Sequence, residues 1–264
     1  MSSVFGAYAV VMMSRVAIAT RTGLVRQRNE DSAYVGRWLC AVADGMGGHV
    51  GGDIASATVI DAVRQFDVAP ENPGQMTAIL GAAVREANKR IAARVLEEPG
   101  LGSMGSTLTA LFWSGSTVVV ANIGDSRAYR IRDGILMQLT EDHVLSNLVA
   151  NPMPAEIGEY LVRFLDRRPG WSPDLTLRTA IPGDRYLICS DGLSGVLRAD
   201  RIREVLKGPG DLDQVVETLI QETYAAGAPD NVTVVAIDLP EGTWQARDGS
   251  PVVVGAAASL AAAS

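Results

Sequence analysis

The stretch from residue 106 to residue 139 constrains the fold more than any other part of the chain. Its apolar residues form two successive runs, STLTALFWSGSTVVVANIG (106–124) and SRAYRIRDGILMQL (126–139). Each run contains a dipeptide of the kind that closes tight hairpins, Ser114-Gly115 in the first and Asp133-Gly134 in the second. Strands joined by such short turns are antiparallel, because a parallel connection needs a long crossover. The sequence therefore predicts antiparallel sheets.

Other strands and helices occur in blocks along the chain. Four more apolar runs are predicted as strands: RVAIAT (15–20), SAYVGRWLCAVA (32–43), DRYLICS (184–190) and NVTVVAIDL (231–239). Apolar residues at helical spacing predict three helices, one from Asp53, one from about Met76 to Pro99-Gly100, and one from Leu212 to Ile220. We expect one α+β domain, with antiparallel strands inside and paired helices outside.

The domain is expected over residues 14–240. Residues 1–13 are apolar but have no basic residue ahead of the apolar stretch, unlike a signal peptide, so they are interpreted as a disordered extension or a misassigned start. Residues 241–264 are rich in small residues and are predicted to be a disordered, low-complexity tail. Residues 143–175 are rich in proline and are predicted to form an irregular surface insertion.

Charge and composition argue against several functional classes. The net charge is −7 and no cluster of Lys and Arg occurs, so a nucleic-acid partner is not expected. No stretch approaches the roughly 20 apolar residues of a membrane span. The two cysteines, Cys40 and Cys189, are too few for a disulfide scaffold. Because they lie at different distances from their strand ends, we predict two buried free thiols, which suits a cytoplasmic protein.

Acidic residues recur where strands end or begin, beside glycine or turn-forming residues. They are Asp44, Asp125, Asp191, Asp230 and the pair Glu30 and Asp31. If the last strand runs antiparallel to the strands that end in Asp44 and Asp191, then these two acids and Asp230 meet at one rim. Several carboxylates at one rim need a positive charge among them, and an all-oxygen ligand set favours Mg²⁺ or Mn²⁺ over zinc.

The residues around Asp44 suggest how such a metal site would work. Gly45 would leave its backbone carbonyl accessible as a ligand. Two cations bridged by Asp44 would activate a shared water for in-line attack on phosphorus. Arg26 offers a planar guanidinium for the phosphate oxygens. Each acid alone is ordinary turn chemistry, so the prediction depends on their combination.

Seven stretches resemble the protein phosphatase 2C family in its bacterial form, and they occur in the order of that family. They are GLVRQRNEDS (23–32), ADGMGGHVGG (43–52), GSTLTAL (105–111), NIGDSRAYRI (122–131), LTEDH (139–143), SDGLSGVL (190–197) and APDNVTVV (228–235). The resemblance implies a four-layer αββα sandwich of two antiparallel sheets flanked by helix pairs. It also implies hydrolysis of phosphoserine and phosphothreonine in proteins by a metal-bridging hydroxide.

The resemblance also implies cofactors and partners. The cofactors would be Mg²⁺ or Mn²⁺, two per chain and a third as in bacterial members of the family. The partners would be phosphorylated proteins and a Ser/Thr protein kinase that the enzyme opposes. We expect a monomer.

Carried over residue by residue, the resemblance implies roles for the site residues. Asp44 would bridge the two metals and Gly45 would lend its carbonyl. Asp191 and Asp230 would complete the shell of the first metal. Arg26 would bind the phosphate.

The remaining acids are assigned to the second and third metals by the same resemblance. Glu30 and Asp31 would hold the second metal through water. Asp125 matches the acid that, with Asp191, binds a third metal in bacterial members.

Two departures from the family pattern stand out. Eukaryotic members often carry a histidine directly after Asp-Gly, where this chain has Met46. Protonation of the leaving alkoxide would then fall to a metal-bound water. Residues 143–175 do not match the flap segment of bacterial relatives. His49 is expected to line the glycine loop, and His143 is expected to order the start of the flap.

Two other functions remain open at this point. One is a catalytically weak signalling module that binds phosphoproteins without turnover, supported by the altered flap. The other is a different two-metal phosphoesterase such as a nuclease, which the negative net charge disfavours.

Overall fold

The computed structural model describes residues 11–13, 15–47, 51–149, 154–208, 210–239, 243–245, 247 and 249–263. The strands are β1 (Val11–Met13), β2 (Arg15–Arg21), β3 (Asp31–Val35), β4 (Leu39–Met46), β5 (Gly105–Ser106), β6 (Leu108–Ser114), β7 (Thr117–Ile123), β8 (Arg127–Arg132), β9 (Ile135–Gln138), β10 (Asp174–Thr179), β11 (Arg185–Cys189), β12 (Val232–Asp238), β13 (Thr243–Gln245) and β14 (Val252–Gly255). The helices are α1 (Gly52–Val63), α2 (Pro73–Glu97), α3 (Ala155–Gly158), α4 (Asp191–Ser194), α5 (Ala199–Lys207), α6 (Leu212–Ala225) and α7 (Ala256–Ala263).

Two antiparallel sheets form the centre of the domain. The first has the strand order β10-β7-β6-β4-β3-β14, with β5 paired to β4, and the second has the order β2-β12-β11-β8-β9. The hairpins β6–β7 and β8–β9 turn at the predicted dipeptides, because Ser114 pairs with Thr117 and Arg132 pairs with Ile135. A short parallel ribbon joins β1 to β13.

Three apolar layers hold the sandwich together. Val42, Tyr186 and Val235 belong to the layer between the two sheets. A second layer packs α1 and α2 on the first sheet, and a third packs α5 and α6 on the second sheet. The predicted four-layer αββα sandwich is confirmed. No helix among the residues given above is long and apolar enough to cross a membrane.

The region predicted as one strand over residues 32–43 is two strands. Gly36 N–H donates to the carbonyl of Leu39 at 2.8 Å and closes a hairpin between β3 and β4. The Asp67 carboxylate accepts bonds from the backbone N–H groups of Arg37 and Trp38, each at 2.7 Å. The turn therefore depends on a distant acceptor, which local sequence does not reveal.

The prediction of a disordered tail is wrong for residues 252–263. Strand β14 pairs with the free edge of β3, and α7 packs against α1. The Ser32 hydroxyl accepts a bond from Ala257 N–H at 3.0 Å. An unpaired sheet edge favours the addition of a strand even when that strand has an unremarkable sequence.

The prolines of residues 143–175 are followed by an edge strand, β10, which the sequence did not predict. Its burial pattern is mostly exposed, so it lacks the apolar alternation that identifies a strand. The earlier part of this region is irregular, as predicted, and contains α3 and an isolated bridge between Val144 and Leu161. Residues 150–153 lie outside the described residues.

Candidate active site

A cavity of about 240 Å³ lies where the ends of the two sheets meet. Its lining includes every site residue predicted from the sequence except Asp31: Arg26, Glu30, Asp44, Gly45, Asp125, Asp191 and Asp230. Met46 and Leu161 supply apolar lining. His49 lies outside the described residues.

The two sheets contribute different acids to this rim. Asp191 follows β11 and Asp230 precedes β12, and these strands are antiparallel neighbours, as the prediction required. Asp44 comes from β4 in the opposite sheet, so it reaches the same place across the sandwich rather than along one sheet. Strand β4 also continues past Asp44 to Met46, because β5 pairs with its end.

The carboxyls of Asp44 and Asp191 are neighbours in the cavity, and each affects the pKa of the other. Burial raises the pKa of the Asp44 carboxyl well above its usual range, and the charges of Asp31, Asp191 and Asp125 add to this. Burial is also the main reason that the pKa of Asp191 is raised. Two carboxyls in contact share a proton when nothing else neutralises them.

Asp31 lies beneath this pair and is fully buried, with 0 % exposure. Its Oδ2 accepts bonds from the hydroxyls of Ser190 at 2.8 Å and Thr233 at 2.7 Å. Its Oδ1 has no hydrogen-bond partner. Burial raises the pKa of Asp31 to about 7. A buried carboxylate oxygen without a partner is unusual and calls for a ligand.

Glu30 and Asp31, which are predicted to hold the second metal through water, lie in different surroundings. Glu30 lines the cavity, and a Cβ at Gly52 would lie 2.4 Å from its Oε2. Asp31 instead pairs with Asp44 in the ladder between β3 and β4 and is buried in the interior. Neighbouring residues of an extended chain point in opposite directions, which separates the two carboxylates.

Gly45 occupies a position that admits no side chain. A Cβ there would lie 1.9 Å from the carbonyl oxygen of Gly52 and 2.7 Å from that of Glu30. The Gly45 N–H donates to the Glu30 carbonyl at 3.1 Å. The glycines of this segment thus bring the backbone of β4 against the start of α1 at the edge of the cavity.

Asp125 follows Gly124 in the turn between β7 and β8. Burial raises the pKa of Asp125 to about 7, and the charge of Asp191 is the next cause. This proximity places Asp125 beside the acid with which it was predicted to act.

Arg26 supplies a positive charge at the cavity. Its guanidinium donates to Asp230 Oδ2 at 2.6 Å, and its side chain is 53 % exposed. Asn231 holds the loop that carries Arg26: its side-chain amide donates to the carbonyls of Thr22 and Arg28 at 2.7 and 2.8 Å. The Oδ1 atom of the same side chain accepts from Glu30 N–H at 2.8 Å.

Sequence reasoning assigned no role to Asn231 or Thr107. The Thr107 hydroxyl accepts from Asp44 N–H at 3.0 Å and also bonds the Ser126 hydroxyl at 2.8 Å. Asn231 and Thr107 lie in two of the stretches that resemble the family, APDNVTVV and GSTLTAL, and that resemblance could have drawn attention to them. Their function is to position backbone, and no spacing rule shows that.

The donor set suits a hard divalent cation. It consists of carboxylate and carbonyl oxygens, and both Asp31 Oδ1 and Asp191 Oδ1 are buried without a hydrogen-bond partner. In the arrangement described, no three Asp, Glu, His or Cys side chains already converge on one ion position within the residues covered. Asp230 is paired with Arg26 in this arrangement, and cation binding by Asp230 would replace that contact.

The chain matches the family model described as Protein phosphatase 2C over residues 20–230. It is 41 % identical over 254 residues to the serine/threonine protein phosphatase PstP of Mycobacterium tuberculosis, covering 94 % of this chain and 49 % of PstP. It therefore spans about half the length of the PstP protein that it matches. It is 32 % identical over 249 residues to the serine/threonine phosphatase stp of Listeria monocytogenes, covering 88 % of this chain and 98 % of stp.

A solved structure supports the same relationship. The catalytic domain of PstP in complex with two manganese ions superposes with a TM-score of 0.80 at 41 % identity, covering 86 % of this chain and 99 % of that one. The family match covers most of the chain, and the carboxylate cavity lies within the matched residues. This chain belongs to the protein phosphatase 2C family.

Proposed function

We propose that this protein is a metal-dependent phosphatase that hydrolyses phosphoserine and phosphothreonine in proteins. The observation that carries the proposal is the cavity itself. Asp44, Asp125, Asp191 and Asp230 line it around an arginine, and burial raises the pKa of the first three. Such a concentration of perturbed carboxyls in a cleft is typical of a functional site.

The cofactors we propose are Mn²⁺ or Mg²⁺. Asp44, Gly45, Asp191 and Asp230 would hold the first two cations, with Glu30 at the edge of the cavity. Asp125 with Asp191 would hold a third. When bound, such cations neutralise the carboxylates and lower the pKa of a water so that it can attack phosphorus.

The protein's own residues would bind and orient the phosphoryl group. Arg26 presents a guanidinium whose fork fits two phosphate oxygens, and in the structure it already faces the acids of the cavity. Asn231 fixes the loop on which Arg26 stands. Met46 and Leu161 form the apolar part of the wall and would limit water on that side.

The carboxyls of the cavity are assigned to the cations, which leaves the described lining without another side-chain acid to protonate the leaving group. The described lining contains no histidine, lysine, tyrosine or cysteine. We therefore propose that water at the site delivers that proton, in agreement with Met46 replacing the histidine of eukaryotic members.

The proposed substrates are phosphoproteins, because relatives named serine/threonine phosphatases share the cavity-bearing domain. A Ser/Thr kinase would be the opposing enzyme, and a monomer would suffice because the described part of this chain supplies every proposed ligand. The two cysteines are free and buried, as predicted, which supports a location in the cytoplasm.

The test is turnover of a phosphothreonine peptide by the purified protein, with Mn²⁺ and with chelator, for the wild type, Asp191→Asn and the exposed control Asp213→Asn. We expect Mn²⁺-dependent release of phosphate that falls at least about a thousandfold only in Asp191→Asn. A single-stranded DNA substrate distinguishes a nuclease. A wild type that binds the phosphopeptide without turnover would replace the proposal with a phosphoprotein-binding module.

A further inference from the structure

His143 joins the turn that carries Asp125 to the segment that closes one side of the cavity. It has 8 % exposure and follows β9. We define the flap base as residues 143–145 and 160–163, which are held together by backbone bonds. Val162 N–H donates to the His143 carbonyl at 2.9 Å, and Leu145 N–H donates to the Tyr160 carbonyl at 2.9 Å.

The first contact of His143 is with Gly124, the residue before Asp125. Gly124 N–H donates to His143 Nδ1 at 2.9 Å, and His143 N–H donates to the Gly124 carbonyl at 3.0 Å. The Asn122 amide also donates to that carbonyl at 3.3 Å. The backbone N–H and C=O of Gly124 are therefore both hydrogen-bonded, and these bonds fix the position of the next residue, Asp125.

Gly124 itself has little freedom. Its φ of +118° is available to glycine and rare for other residues. A Cβ would lie 2.5 Å from Thr107 Cγ2, and the hydroxyl of Thr107 accepts from Asp44 N–H. The turn that presents Asp125 is thus packed on the same residue that supports Asp44.

The second contact of His143 is with the flap base and β10. Its Nε2 lies 3.1 Å from Asp174 Oδ2, and Asp174 pairs with Arg163 at 2.5 Å. Arg163 Nε also donates to Nδ1 at 3.1 Å, and its NH2 group lies against Nε2. Because Nδ1 accepts from Gly124, the neutral ring carries its proton on Nε2 and donates it to Asp174. Leu161, within the flap base, lines the cavity.

We propose that His143 is a positioning residue that acts through both ring nitrogens. Nδ1 holds the N–H of Gly124, the residue before Asp125, and so places the Asp125 carboxylate for cation binding. Nε2, through Asp174, holds the flap base and so places Leu161 against the substrate. The proposal rests on the proposed function, because it gives His143 a role in that same site.

The two contacts can be separated by two substitutions of similar polarity. The side-chain amide of asparagine ends near the position of Nδ1, and that of glutamine ends near the position of Nε2. His143→Asn therefore keeps an acceptor for Gly124 and loses the contact with Asp174. His143→Gln keeps a group near Asp174 and loses the acceptor for Gly124, together with the weaker bond from Arg163 Nε, so Mn²⁺ binding is the quantity that separates the two variants. Asp174→Asn weakens the flap contact and leaves the imidazole itself unchanged.

The experiment measures Mn²⁺ binding by calorimetry, and kcat and KM on a phosphothreonine peptide, for these variants and Asp125→Asn. We expect His143→Gln to weaken Mn²⁺ binding about 10- to 100-fold at the site that Asp125→Asn also weakens. We expect His143→Asn and Asp174→Asn to bind Mn²⁺ within about 3-fold of wild type and to raise KM about 10-fold.

Equal effects of His143→Asn and His143→Gln on Mn²⁺ binding and on KM would overturn the proposal, since a purely structural histidine predicts no such split. If the His143 variants do not fold, the KM of Asp174→Asn still tests the flap contact. Hydrogen exchange of the backbone amides of residues 122–126 in the wild type then tests the contact with Gly124, and rapid exchange would refute that contact. A wild type without turnover refutes the proposed function alone, because the Mn²⁺ titrations still test the Asp125 contact.

Discussion

Removal of the Asp31 charge should change how the stability of the metal-free protein depends on pH. Asp31 is fully buried, its Oδ1 has no hydrogen-bond partner, and its pKa is raised from 3.8 to about 7, chiefly by burial. The unfolded chain ionises this carboxyl near pH 4 while the folded chain keeps it protonated. Stability is therefore lost as pH rises from about 4 to about 7, and the loss is complete above pH 7.

The magnitude follows from the same pKa. Each pH unit in that interval is worth about 1.4 kcal/mol, so the Asp31 share between pH 5 and pH 8 is on the order of 3 kcal/mol. Asp31→Asn removes this share. It also removes a charge that raises the pKa of Asp44, and the resulting lower pKa of Asp44 further reduces the loss of stability between pH 5 and pH 8.

Titratable groups outside the cavity do not affect the comparison. Asp174 and Asp184 have lowered pKa values and therefore affect stability below about pH 4. Burial lowers the pKa of His143, so its contribution rises with pH up to about 6.5 in both proteins and cancels in their difference.

The assay is urea unfolding in chelator at pH 5 and pH 8 for the wild type, Asp31→Asn and the exposed control Asp213→Asn. We expect the wild type and the control to lose about 3 kcal/mol more than Asp31→Asn between these pH values, and Mn²⁺ to restore the wild type at pH 8. Identical pH dependence in the wild type and Asp31→Asn would refute the reasoning.

Three further predictions test other parts of the domain. Arg26→Ala should raise KM for a phosphopeptide about 10- to 100-fold, because a charge-assisted bond to phosphate is lost. The control Arg28→Ala removes an exposed arginine of the same loop and should change KM by less than about 3-fold. Equal effects of the two variants in steady-state kinetics would contradict this. Gly45→Ala should weaken Mn²⁺ binding more than about 10-fold in calorimetry, because its Cβ would lie 1.9 Å from the Gly52 carbonyl; unchanged binding would show that the backbone yields. Asp184→Asn should lower the free energy of unfolding by about 2 to 3 kcal/mol in urea while leaving KM unchanged. The reason is that the fully buried Asp184 carboxylate loses its ion pair with the partly exposed Arg132, at the end of β11 away from the cavity, and a shifted KM would contradict that separation.

Much of the fold could be predicted from local patterns. The hairpins at Ser114-Gly115 and Asp133-Gly134 form as expected because a two-residue turn and its flanking strands are determined within a few residues. Helix α2 buries the predicted face, including Met76, Leu80 and Ile91, and ends before Pro99-Gly100. Strand β10 and the paired tail were missed because their sequences are exposed or composed of small residues, and their pairing depends on edges supplied by other strands.

The sequence by itself determined which residues could form the site. Acids at the ends and starts of strands, with an arginine ahead of one pair, identified all the carboxylates that the cavity brings together. The position of each acid at a strand end can be read locally, whereas the antiparallel direction of the strands carrying Asp191 and Asp230 was a condition of the prediction.

Only the tertiary structure determined the position and the contacts of each of those residues. It separated Glu30 at the cavity wall from Asp31 in the interior, paired Arg26 with Asp230, and placed His143 between Asp125 and the flap base. These contacts join segments that are far apart in the chain. Burial and electrostatic coupling arise from how two sheets pack, and no local pattern encodes the packing of one sheet upon another.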